Sequence, residues 1–203
     1  MPDARDPYLE DRRKLDLAWR LLRHGARTQT ITRWTGLTAR RVRSLLKKYR
    51  SKSTELKIQR PRGDSPFSME LLLRSPQRRH EAALVAMTHQ ELLGQMVPEM
   101  KRDVSDLAAG ELACKAYEIF LQSTPQSVLT IDQAVLVLSA ITRKIEFSLG
   151  RCSTCRAPIL IDLLSVTFRR CGCCSAVINT SGHPIKDESV ERVSAIGQAA
   201  CSD

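Results

Sequence analysis

Four cysteines constrain this chain more than any other feature. They form two pairs, Cys152-Ser153-Thr154-Cys155 and Cys171-Gly172-Cys173-Cys174, with fifteen residues between them. A C-x2-C pair points two sulfurs at one ion, and a loop of this length can bring a second pair to face the first. Four thiolates then close a tetrahedral shell and leave no position for water or substrate. The spacing therefore predicts a structural zinc, one per chain, held by Cys152, Cys155, Cys171 and Cys174. Cys174 is chosen because C-x2-C then repeats; Cys173 could replace it, since Cys171-Gly172-Cys173 is also a chelating spacing.

Two other uses of the cysteines compete. A disulfide framework suits small secreted domains, but the start MPDARDPYLEDRRK has no apolar stretch of the kind a secretory signal needs. A redox C-x-x-C usually sits beside a βαβ pattern, which is missing here. No apolar run approaches 18 residues, so no membrane span is expected and a cytoplasmic location is. Cys114 lies in an apolar helical pattern and reads as a small core residue. Cys201 has no visible role.

The net charge of +10 is unevenly placed. Residues 1–63 hold 18 Lys+Arg against 6 Asp+Glu, a balance of +12, and residues 64–203 hold 14 against 16, a balance of −2. A small region with fixed positive charge is the footprint of nucleic-acid binding, because each neutralised phosphate releases counterions. A plain solvated basic face is the blander alternative. Aromatics are too scarce, at 4%, for a single-strand stacking platform.

The basic third has the pattern of a helix-turn-helix over residues 1–50. Residues 15–24 put Leu15, Ala18, Trp19 and Leu22 on one helical stripe, and Gly25 ends it. A second helix starts near Thr28 and includes Ile31 and Trp34. Gly36 supplies a turn with positive φ. A third helix fits 38–50, with Thr38 as its N-cap and Leu37, Val42, Leu45 and Leu46 inward. Its N-terminal end presents Thr38, Arg40, Arg41 and Arg43, where such motifs contact base edges. Lys47, Lys48 and Arg50 follow, placed for phosphates. An ordinary three-helix unit would explain the glycine and leucines equally well, but not the near absence of acids between Leu17 and Arg62, where Glu55 is the only one.

Residues 51–66 read as a linker, with Pro61, Gly63 and Pro66. Residues 67–150 form a helical scaffold and partner interface. Helices are expected over 80–97 (Ala83, Leu84, Met87, Leu92, Leu93), 104–121 (Val104, Leu107, Leu112, Tyr117, Phe120, Leu121) and 130–149 (Ile131, Val135, Leu138, Ile141, Ile145), with a break at Pro125. The zinc module takes 151–178, and 179–203 is a tail. The fold class is thus mainly α, with a C-terminal four-cysteine zinc module. His89-Gln90-Glu91 matches the H-x-E of zinc nucleobase deaminases, but Arg151, not proline, precedes the first cysteine pair, which lies some sixty residues on. No enzyme is expected.

The order of these parts resembles the FlhC family, flagellar transcriptional activator subunits. Gly25-Ala26-Arg27 follows the first helix, Pro66-Phe67-Ser68 follows the linker, and Lys115-Ala116-Tyr117 runs on to Leu121 and Pro125. The last long helix leads into Cys152. The resemblance spans roughly residues 15–180; its specificity lies in the order of the segments. It implies a hetero-oligomer of four FlhD with two FlhC that binds promoter DNA and recruits RNA polymerase to flagellar operons. It also implies that Cys152, Cys155, Cys171 and Cys174 hold one structural zinc. The chain departs from the family after the cysteines, where Asn179–Asp203 carries only Lys186 and Arg192 as cations, and around Leu71-Leu72-Leu73, which is poor in aromatics. The alternative is a zinc-ribbon adaptor that binds RNA or protein and reads no promoter.

Overall fold

Several helices begin where a short side chain satisfies the first backbone donors. A computed structural model of the chain describes residues 6–52, 68–96, 105–143, 146–164, 170–172 and 174. Helix α1 runs Pro7–Arg23, with the Tyr8 N–H donating to Asp6 at its N-cap and Pro7 at the first turn. It ends in a Schellman motif: Gly25 takes φ 74°, its N–H donates to the Leu22 carbonyl, and the Ala26 N–H to that of Leu21. Helix α2 is Thr28–Thr35 and stops at Gly36, φ 66°. The buried Thr35 hydroxyl donates to the Ile31 carbonyl and accepts from the Leu37 N–H, which fixes the turn. Helix α3 is Ala39–Lys52, with the Arg41 N–H donating to Thr38 Oγ1.

A short α4 (Met69–Leu73) precedes α5 (Pro76–Gly94), capped by Ser75. Helix α6 is Asp106–Ser123, capped by Ser105, and α7 is Ile131–Arg143. Thr130 and Gln133 form a reciprocal capping box at the start of α7, each side chain accepting the other's backbone N–H. Strand β1 (Phe147–Arg151) pairs antiparallel with β2 (Pro158–Asp162), Leu149 opposite Leu160 and Arg151 opposite Pro158. The chain is mainly helical, as its periodicity predicts. One apolar cluster runs continuously from Leu17, Leu21, Ile31 and Val42 through Val85, Ala113 and Phe120 to Ile131, Val137 and Phe147.

Several expectations need correction. The helix expected over 130–149 ends at Arg143, and Phe147–Arg151 is a strand. An apolar stripe does not separate helix from strand near its end, and here pairing with Pro158–Asp162 takes over. The last helix therefore does not lead straight into Cys152. On α1 the buried residues are Leu17, Ala18, Leu21 and Leu22, whereas Trp19 is 40% exposed. The helix packs on α6 through its Leu17–Leu21 side, which turns the indole outward. On α5 the buried stripe is Glu81, Ala82, Ala83, Val85 and Ala86; Leu84, Met87, Leu92 and Leu93 are only partly buried. Small side chains let α6 approach closely. Ser51 and Lys52 of the expected linker belong to α3; linker residues 53–66, the tail 179–203, Val104, Ile145, Cys173 and Cys201 lie outside the described residues.

Candidate metal centre and basic helix

The hairpin exists to present the first cysteine pair. Cys152 leaves β1 and its N–H donates to the Ala157 carbonyl at 2.8 Å, while the Arg156 N–H returns to the Cys152 carbonyl at 3.0 Å. Arg156 holds φ 64°, a left-handed conformation that closes this knuckle. The second pair faces it, with Gly172 against Pro76 at the start of α5. The sulfurs of Cys152, Cys155, Cys171 and Cys174 lie within 4.8 Å of one another. Cys155 and Cys171 are 3.5 Å apart, sulfur to sulfur. That is far beyond a disulfide bond of about 2.05 Å. It is close to the edge of about 3.8 Å in a tetrahedron with metal–sulfur bonds of about 2.3 Å.

Backbone donors also aim at the sulfurs. The Cys171 N–H donates to Cys152 Sγ at 3.3 Å and the Cys174 N–H to Cys171 Sγ at 3.4 Å. Burial alone would push the Cys152 thiol up, but N–H groups of Cys155, Cys171 and Thr154 outweigh it and bring it down to about 6. Burial pushes the Cys171 thiol up instead. Cys152 and Cys171 are buried, and the apolar support is small: Ile159, with Ile161 partly buried. The four residues are free cysteines. Four soft sulfur donors in this arrangement can hold a metal ion, and a tetrahedral sulfur set suits zinc or iron.

The His89-Gln90-Glu91 segment lies away from the cysteines. His89 sits thirteen residues along α5 from Pro76, about 20 Å at the helical rise. Burial lowers its pKa, and it joins no cluster of potential ligands among the described residues.

The residues expected to meet nucleic acid are all solvent-exposed: Thr38, Arg40, Arg41, Arg43, Lys47 and Lys48. Val42, 0% exposed, fixes the inner face of α3, with Leu45 and Leu46 partly buried beside it. The Arg50 side chain lies outside the described residues.

Sequence reasoning missed how the basic region is fastened. Arg13 forks onto Glu111 at 2.6 and 3.0 Å, and Arg20 onto Glu118 at 2.7 and 3.0 Å. The pairs are seven residues apart on both helices, so α1 and α6 run in the same direction. His24 also reaches Glu118, at 3.1 Å, and Cys114 Sγ lies 3.6 Å from the same oxygen. Burial alone would raise the Glu118 carboxyl, but the Arg20 fork and His24 bring it down to about 2. Cys114 is fully buried, as its apolar setting predicts, and burial pushes its thiol up to about 12. Asp132, also buried, accepts from the Arg27 N–H and the Thr30 hydroxyl, so a residue of α7 anchors the start of α2. Its other oxygen lies 3.6 Å from Arg27 Nε. The seven-residue spacing of Arg13 with Arg20 and of Glu111 with Glu118 was the one signal available.

No protein-family model matches this chain, and no curated protein matches it significantly. No described helix is long and apolar enough to cross a membrane.

Proposed function

We propose that this chain is a DNA-binding transcriptional activator whose C-terminal hairpin is built around one structural zinc. In this reading α2, the Gly36 turn and α3 act as a helix-turn-helix. The observation that carries it is the sorting of α3. Its apolar side chains turn inward, and Thr38, Arg40, Arg41, Arg43, Lys47 and Lys48 are left on the surface of a helix entered through a tight glycine turn.

The zinc reading rests on the donor set. Four cysteine sulfurs fill a tetrahedral shell, so the ion would stabilise the fold and take no part in a reaction. The FlhC resemblance extends the proposal. The chain would work in the cytoplasm with an FlhD-type subunit, four copies to two of this chain, bind promoter DNA and recruit RNA polymerase to flagellar operons.

Three measurements test it. Metal analysis should give one zinc per chain, and an iron-loaded or metal-free folded protein would reject the zinc. Co-expression with an FlhD-type subunit should give one stable complex; a monodisperse chain that ignores it would reject the partner. The complex should prefer a flagellar promoter to random DNA of equal length. Equal binding to both, or tighter binding to RNA, would favour the adaptor reading.

A further inference from the structure

Acidic residues divide the basic surface of this chain into used and unused charge. On α1, Arg13 and Arg20 are held by Glu111 and Glu118 of α6, Lys14 by Glu10 and Arg12 by Asp16. Arg27, just before α2, faces the buried Asp132. On α3, Arg40, Arg43 and Lys47 form no ion pair with any described residue and all three are exposed, three on one helix against a single such residue on α1, Arg23, and one on α2, Arg33. Successive helical residues are turned by about 100°. Arg40, Arg43, Ser44 and Lys47 therefore share the side of α3 away from Val42, and Arg41 lies on the flank toward α1. There Arg41 Nη2 stands 3.8 Å from Asp11 Oδ2, with both side chains about half exposed.

We propose that this outer face of α3 is the surface that meets duplex DNA, and that Asp11 is an internal competitor that holds Arg41 back from the phosphates beside it. The proposal rests on the DNA-binding reading above and assigns its residues. Unneutralised cations on one helical face complement a polyanion. An exposed acid next to a flanking arginine has the opposite effect, since it must be displaced before a phosphate can bind. Because the pair is exposed, it is weak enough to exchange. Asp11 would thus lower sequence-independent affinity while leaving Arg40 and Arg43 available to base edges.

The test uses the full chain and a labelled random-sequence duplex over a salt series, with helix content checked for every variant. Changing Arg40 and Lys47 together to Gln should weaken binding and flatten the salt slope by about two contacts. Asp11→Asn should tighten binding about twofold to fivefold and steepen the slope by about one contact. In an Arg41→Gln background the Asp11→Asn gain should vanish. Unchanged binding in the Arg40/Lys47 variant, with the wild type bound, would place the DNA surface elsewhere. An Asp11→Asn variant without a gain, or a gain that survives Arg41→Gln, would remove the competitor role. Failure of the wild-type chain to bind duplex at all would overturn the DNA reading itself, and preference for single-stranded RNA would overturn the duplex.

Discussion

The basic head and the cysteine hairpin are held together by opposite means. Helices α1 to α3 share a broad apolar core with α5, α6 and α7, and their charges fasten onto acids from the body. The hairpin has two short strands and a buried cluster of Cys152, Ile159 and Cys171. A two-stranded hairpin is marginal by itself; Phe147 joins the main core, Leu149 and Leu160 pack against it, and the four cysteines could add a metal ion. The difference teaches where each region is vulnerable. On the proposed zinc reading the head should survive the loss of one contact, whereas the hairpin should depend on four sulfurs acting together.

The largest effect should come from the sulfurs. Cys152→Ser should abolish metal binding, which in small zinc modules contributes on the order of 10 kcal/mol. Hydrogen exchange should then lose protection over 147–162 and keep it over α1 to α3. Loss in both regions would mean that the hairpin supports the whole core.

Asp132→Ala should be the most damaging change in the head. It removes the buried carboxylate that accepts from the Arg27 N–H and the Thr30 hydroxyl and forms an ion pair with the Arg27 guanidinium, at a cost of about 3 kcal/mol. Chemical denaturation should show the drop while metal content stays unchanged. A neutral result would mean that α2 does not need its anchor on α7.

Gly110→Ala probes close approach. A Cβ there would stand 2.8 Å from Trp34 Cβ and 3.0 Å from Leu17 Cδ2. Trp34 Cβ is next to backbone and cannot swing away, so α2 must move from α6, at about 2 kcal/mol. A lowered melting temperature with a shifted Trp fluorescence would show it.

The smallest effect belongs to Glu118→Gln. About a third of each partner's side chain is exposed, so solvent screening limits the loss to about 1 kcal/mol. The pH dependence is the sharper readout. Glu118 is depressed to about 2 when folded, against an unfolded value of about 4.3. Its contribution is therefore complete above the unfolded value and fades as pH falls toward 2. The variant should be less stable than wild type at neutral pH and converge with it in acid. Parallel curves would remove Glu118 as the titrating group.

Much of the site was written locally. The cysteine spacing specified a four-sulfur cluster, because two C-x2-C pairs dictate which atoms can converge. Gly25 and Gly36 marked two turns through the positive φ that only glycine adopts cheaply, and the leucine pattern of α3 separated its inner from its outer side. Tertiary structure alone decided the rest. Trp19 satisfied the helical period but faces solvent, because periodicity defines a stripe and not the neighbour that covers it. Residues 147–151 continued an apolar pattern but became a strand, because their hydrogen bonds go to residues 158–162. The seat of the basic head on Glu111, Glu118 and Asp132 joins residues about a hundred positions apart. Local sequence carries propensity over one or two turns of chain; which distant carboxylate meets which arginine depends on the packing of the helices that carry them.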